Sequence, residues 1–186
     1  MLFRSSGGVS VGAHDVVKEA FEHVGQMELW RVAVQPGKPL CFGRATPAGD
    51  REDEVLLFGL PGNPVSSFVT FELFVRPVVR RLAGHTDLSG RQVIRVRLSE
   101  PVTKASGRRA FLRVRLTPVD ERDRLAGEPP WEASLAGGQG SHVLSALARA
   151  DGLAVVGEDD DSLPAGAAVD VISLRHVARR SPDGAA

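Results

Sequence analysis

The chain reads as an α/β domain followed by a small all-β domain, and three observations carry that reading. Two glycine-bearing loops, Ser6-Gly7-Gly8-Val9-Ser10-Val11-Gly12 and Pro61-Gly62-Asn63-Pro64, each open into a helical pattern. Around them short apolar strands alternate with helices as far as Gly84, as in a sheet covered on its faces. After His85 the helical period gives way to short strand-like runs separated by Gly, Pro and Asp turns, the pattern of a β-barrel or sandwich.

Taken in order, Met1-Leu2-Phe3-Arg4-Ser5 is a stub of strand ahead of the first loop, which leads us to expect a chain cut short at its N-terminus. Val17, Ala20, Phe21 and Val24 recur at helical spacing, so Asp15 to Val24 is a helix with Gly25 at its C-terminal cap. Leu29 to Val34 alternates as a strand, Pro36-Gly37-Lys38-Pro39 turns, and Leu40 to Phe42 and Val55 to Phe58 are apolar strands. The acidic stretch Asp50 to Glu54 between them is a solvated loop, and the ordering favours a parallel sheet. Val65, Phe68, Phe71, Val75, Val78 and Leu82 mark a long helix with Asn63 as N-cap, Pro64 at the first helical position, a kink at Pro77 and a stop at Gly84.

The second half contains strands at Val93 to Leu98, Phe111 to Leu116, Trp131 to Leu135, Leu153 to Val156 and Val169 to Leu174. Ser141 to Ala150 reads as a short helix with Ser141 as N-cap and Gly152 as its end. This divides the chain into an α/β part at 1–86, a β part at 87–177 and a disordered tail at 178–186.

Composition excludes several classes. The 186 residues include 23 basic and 23 acidic side chains, a formal net charge of zero, which argues against a general nucleic-acid binder or an anionic-membrane binder. Any anion site must therefore be local. A single cysteine, Cys41, rules out an internal disulfide framework and a cysteine-based zinc site; it fits a reducing compartment and reads as a small buried hydrophobe. No run of roughly 18 apolar residues is available to span a bilayer and the start lacks a signal-peptide pattern, so a cytoplasmic protein is expected.

Helix N-termini leave backbone N–H groups without intrahelical partners and favour oxyanions. Gly7, Gly8 and Gly12 permit close backbone approach, and the Ser6 and Ser10 hydroxyls can bond phosphate oxygens. An ordinary glycine turn fits each loop equally well; the pair is what points to an anion site. Between Arg91 and Arg115 stand eight basic residues against one acid, Glu100, and in the strand from Phe111 Arg113 and Arg115 share one face, opposite Leu112, Val114 and Leu116. That face is either phosphate-binding, with Arg113 its principal residue, or simply solvated. Lys38 stands on a turn stiffened by two prolines and could aim an ammonium at an oxyanion. Asp15 either interacts with its own helix N-terminus or recognises donor groups or a cation near the phosphates. Glu158 to Asp161 reads as a solvated turn, and the five histidines show no metal spacing.

Four motifs in order, Ser6 to Gly12 with Asp15, Pro36-Gly37-Lys38-Pro39, Gly59-Leu60-Pro61-Gly62-Asn63-Pro64-Val65-Ser66 and Gly138-Gln139-Gly140-Ser141-His142, resemble the C-terminal half of the molybdopterin molybdenumtransferases, the MoeA and gephyrin E-domain family. The resemblance runs from about Ser5 to Leu174 and implies a partial MogA-like three-layer domain followed by a small β-barrel. It implies a cytosolic homodimeric enzyme that inserts molybdate into adenylylated molybdopterin with release of AMP, assisted by Mg2+, with no nucleic-acid or membrane partner. By resemblance Asp15, Lys38 and Arg113 are catalytic. Ser6, Gly7, Gly8, Ser10, Gly12, Arg31, Pro61, Gly62, Asn63, Pro64 and Ser141 bind substrate, Arg31 and Lys38 lying near the oxyanion.

Two departures stand out. Gln35 occupies a position that is lysine in many members. The family's N-terminal domains, with most of its magnesium ligands and dimer contacts, have no counterpart here, so the metal ligands stay unknown and the chain alone is expected to be inactive. The alternatives are a non-catalytic scaffold or remnant of the same fold and a molybdopterin adenylyltransferase relative; the all-β part after Arg91 argues against the latter.

Overall fold

The computed structural model describes residues 2–6, 25–45 and 54–175. The expected helix at Asp15 to Val24, the loop after Ser6, most of the acidic loop and the tail lie outside the described residues. A four-stranded sheet is formed by β1 (Leu2–Ser6), β2 (Gly25–Arg31), β4 (Pro39–Ala45) and β5 (Val55–Leu60), in the order β1-β5-β4-β2. The sheet is mixed rather than parallel. Only β1 and β5 run parallel, Leu2 opposite Leu56 through Ser6 opposite Leu60, whereas β4 is antiparallel to both its neighbours. Gly25 begins β2.

The single strand expected over Leu29 to Val34 is broken. Val32 and Ala33 turn the chain, Val32 N–H donating to Lys38 O at 2.9 Å, and β3 (Val34–Gln35) leaves the first sheet to pair with the second. Apolar alternation continues through this break, which is why periodicity alone hides it.

The long helix forms as α1 (Pro64–Thr70), a π-helical turn (Phe71–Val75) and α2 (Arg76–Leu82). Pro77 lacks an N–H and its ring crowds the carbonyl four residues back, so a regular α-helix cannot pass through it. The helix widens into a π-helical turn just before the proline, with Arg76 N–H donating to Phe71 O. Asn63 occupies the N-cap position, but its side chain makes no capping bond. Val75 of this helix packs on Leu40, Phe58 and Leu60 of the sheet, with Phe71, Phe74 and Val78 alongside. Cys41 is buried in β4.

The second half is a closed barrel, the stronger of the two arrangements left open by the sequence. Its strands are β6 (Val93–Leu98), β8 (Arg109–Pro118), β9 (Trp131–Leu135), β10 (Gly152–Val156) and β12 (Ala168–Ser173). The order β10-β12-β6-β9-β8 closes because β10 also pairs with β8. The small β7 (Val102–Thr103) and β11 (Ser162–Leu163) form a separate ribbon. Val96, Leu98, Leu112, Val114, Ala154, Val156 and Val171 fill the interior.

Gly152 does more than end a helix. It sits where β10 meets Ser173 on one side and Val114 on the other, and a Cβ there would lie 2.3 Å from Val171 Cγ1. The preceding helix is shorter than expected: α3 (Leu144–Arg149) starts beyond Ser141, and Val143 takes the N-cap position with no side-chain bond.

The two halves are joined by a third apolar cluster in which Val69 of α1 meets Phe111 of β8 and Leu153 of β10. Glu72, whose side chain is 6% exposed, adds a polar tie. Arg91 grips it with two bonds of 2.8 and 2.9 Å and donates a third to Leu174 O, and Glu72 holds the Arg91 guanidinium above its ordinary range. Four of the eight basic residues between Arg91 and Arg115 are paired with carboxylates in this way. Arg95 pairs with Asp170, Arg97 with Glu128 and Glu132, and Arg109 with Glu158.

Gly152→Ala forces a methyl into the barrel seam and should destabilise the fold by about 1–3 kcal/mol, as overpacked cores do, read as a fall in the thermal unfolding midpoint.

Candidate functional site

A cleft of about 660 Å³ lies between the two halves, walled by the Val34 to Pro39 segment, by Pro61 to Asn63 with Ser66, by Ala105 and Arg108, and by Gln139 to Ser141. Sheet geometry places the first two walls. β5 ends at Leu60, directly beside the end of β1 at Ser6, so the chain leaves both parallel strands at one edge, where open α/β sheets take their ligands. Ser67 Oγ donates to Pro61 O, pinning the loop to the first turn of α1.

Lys38 is carried by a turn that contains a cis Gln35–Pro36 bond and Gly37 at φ +117°. That conformation excludes ordinary side chains, and a Cβ on Gly37 would stand 2.5 Å from Thr70 Cγ2. Thr70 is itself fixed by its hydroxyl, which donates to Ser66 O at 2.8 Å. The turn therefore rests directly on α1 and presents Lys38, which is exposed, to the cleft.

Of the residues singled out in the sequence, Lys38, Pro61, Gly62, Asn63 and Ser141 line this cleft. Pro64 and Arg31 are not in its lining; Arg31 is exposed at the end of β2, opposite Pro39. Gly7, Gly8, Ser10, Gly12 and Asp15 lie outside the described residues, and Ser6 is placed by its backbone in β1. Arg108 was counted in the basic run but not chosen, yet it supplies the second cation of the lining. Gln139 and Gln35 also line the cleft, and Gln35 Oε1 is buried with no hydrogen-bond partner among the described residues.

Arg113 departs most from expectation. Alternation put it on the right face of β8, but it does not project to solvent with Arg115: it is 1% exposed, whereas Arg115 is exposed. Its Nη2 donates to Gly138 O and Gly140 O, both at 3.2 Å, so the arginine lies behind the loop that walls the cleft. Burial lowers its pKa, and among the described residues no carboxylate pairs with it.

With Lys38 and Arg108 in its wall and no carboxylate, the described cleft is suited to an anion. The same composition does not fit magnesium, which needs oxygen ligands that include carboxylates, and among the described residues there is no cluster of three metal-binding side chains.

Residues 5–81 match the family described as a probable molybdopterin binding domain, and residues 95–174 match the MoeA C-terminal region, domain IV. The chain belongs to the MoeA family. It is 32% identical over 176 residues to the molybdopterin molybdenumtransferase of Haemophilus influenzae, covering 95% of this chain and 40% of that protein. It is 36% identical over 170 residues to molybdopterin molybdenumtransferase 1 of Mycobacterium tuberculosis, covering 91% of this chain and 38% of that one. The crystal structure of a molybdopterin biosynthesis MoeA protein from Pyrococcus horikoshii superposes with a TM-score of 0.64 at 29% identity, over 94% of this chain and 37% of that chain. This MoeA-family chain thus spans 38 to 40% of the length of these two curated relatives. The cleft lies between segments contributed by both matched regions.

Gly37→Ala is expected to lower stability by about 1–3 kcal/mol, the range for forced backbone conformations, and to displace Lys38. Thermal unfolding should show the first effect, and faster hydrogen exchange across residues 34–39 the second.

Proposed function

We propose that this chain carries part of the active cleft of a molybdopterin molybdenumtransferase, at the junction of units 1–86 and 87–177, and that the cleft binds the anionic groups of adenylylated molybdopterin and molybdate. One observation carries the reading: Lys38 and Arg108 line a cleft between a molybdopterin-binding region and a MoeA C-terminal region, with no carboxylate among its described lining residues.

On this reading Lys38 and Arg108 offset the charge of phosphate and molybdate oxygens, while Asn63 and Ser141 offer hydrogen bonds that fix orientation. Pro61 and Gly62 shape the wall, and the Ser6 to Gly12 loop with Asp15 would complete it from the neighbouring strand end. Arg31 would act from outside the described lining, and Pro64 through the position of its helix. The reaction assigned is insertion of molybdate into adenylylated molybdopterin with release of AMP, a transfer in which positioned cations stabilise charge on the departing phosphate as the phosphoanhydride is cleaved. Molybdenum cofactor biosynthesis would be the process served. For the whole enzyme the reading extends to magnesium, a homodimer and a cytoplasmic setting; the described residues do not form a magnesium site, so no step is drawn through the metal. Among the described residues no helix is long and apolar enough to cross a membrane.

Titration of the chain with adenylylated molybdopterin should give saturable binding. Lys38→Ala combined with Arg108→Ala should weaken it by about tenfold or more, the loss expected for two charge-assisted contacts. Unchanged affinity in that double variant contradicts the reading.

A further inference from the structure

The segment that forms the barrel side of the cleft has no regular structure of its own: it runs from Ala136 to Val143, between β9 and α3. It is shaped around one residue. Five hydrogen bonds join Arg113 to residues 136–140: Arg113 N–H donates to Gln139 Oε1 at 2.9 Å, Gln139 Nε2 donates to Arg113 O at 3.1 Å, Ala136 N–H donates to the same oxygen at 2.9 Å, and the guanidinium reaches Gly138 O and Gly140 O.

The Gln139 amide thus takes both main-chain groups of Arg113, as a neighbouring strand would, and its Nε2 also donates to Gly137 O at 2.8 Å. Side chain and main chain grip reciprocally: Arg113 holds the loop carbonyls, and Gln139 holds the Arg113 backbone. Gly137, at φ +129°, allows the chain to fold back tightly enough for this. The outer side of the same loop, Gln139 to Ser141, lines the cleft.

We infer that Gln139 is a positioning residue: it sets the barrel wall of the cleft by clamping the loop to the Arg113 backbone. The inference rests on the oxyanion reading of the cleft. The Arg113 side chain is 1% exposed, its Nη2 is turned toward the loop carbonyls and its Nε is buried without a partner among the described residues, so loop and arginine hold their places together. Among the described residues its charge is not paired with a carboxylate, so the loop carbonyls must stay in place for it to remain buried. Losing the amide of Gln139 frees the loop without removing the charge.

The test uses the full chain and molybdate as the probe, with affinity read by calorimetry and loop order read by hydrogen exchange at the Arg113 amide. Gln139→Ala should speed that exchange and weaken molybdate by about tenfold, the affinity equivalent of a lost hydrogen-bonded anchor. Gln139→Glu sets a carboxylate oxygen against the Arg113 and Gly137 carbonyls and adds negative charge to the wall, and should weaken molybdate at least as far as Gln139→Ala. Arg115→Ala, on the same strand but exposed, should leave molybdate affinity unchanged. Faster exchange in Gln139→Ala with unchanged affinity, while Lys38→Ala still weakens binding, overturns the positioning role and leaves the oxyanion reading standing. Unchanged affinity in Gln139→Ala, Lys38→Ala and Arg108→Ala alike overturns the oxyanion reading, and this inference with it.

Discussion

Strand β8 is the constraint on which the arrangement depends, because its ten residues are shared by every part of the site. It pairs with β9 along one edge and β10 along the other, which closes the barrel, and its first residues pair with β3 arriving from the Lys38 turn. Its inward side chains, Leu112 and Val114, are barrel core, whereas Phe111 and Arg113 face outward and are nevertheless buried. The outer face is covered by two things: helix α1, through Val69 against Phe111, and the loop around Arg113. A strand buried on both faces transmits position, since neither the helix nor the loop can shift without opening packed surface.

This explains how a cleft can be assembled from segments far apart in the chain. The Pro36 to Pro39 turn rests on Thr70, α1 carries Thr70 and rests on β8, and β8 holds Gln139 by its own backbone. The Glu72 to Arg91 pair repeats the connection from the π-helical turn of the same helix, where a half-buried guanidinium satisfies a nearly buried carboxylate and the Leu174 carbonyl at once. Two cations are therefore presented from opposite halves with little freedom to separate. Preorganised charge of this kind is what an oxyanion site requires.

Much of this was legible in the sequence, and the gaps have physical causes. The α/β followed by barrel organisation came from a change of period near His85, and both the apolar face of the long helix and the Lys38 turn were readable from local spacing. Local spacing does not report where a strand changes partner. Val32 and Ala33 continue an alternation although β2 and β3 belong to different sheets. Residue type marked Asn63 and Ser141 as caps, but a cap needs side-chain geometry: Asn63 makes no such bond, and the helix begins beyond Ser141. For Arg113 and Arg115, alternation identified a common face but could not say which cation would be covered, because the covering carbonyl of Gly138 lies 25 residues further on. Arg108 was missed because one arginine among eight basic residues carries no local mark; its place in the cleft depends on the β3 pairing that also escaped detection.

The most direct measurement is crystallographic: soak crystals of the chain in tungstate, a heavier analogue of molybdate, and locate the metal by its anomalous signal. The account predicts a peak in the cleft within hydrogen-bonding reach of Lys38 and Arg108, with the Gln139 loop closed over Arg113. No ordered tungstate in the cleft, or a peak out of reach of both Lys38 and Arg108, would contradict it.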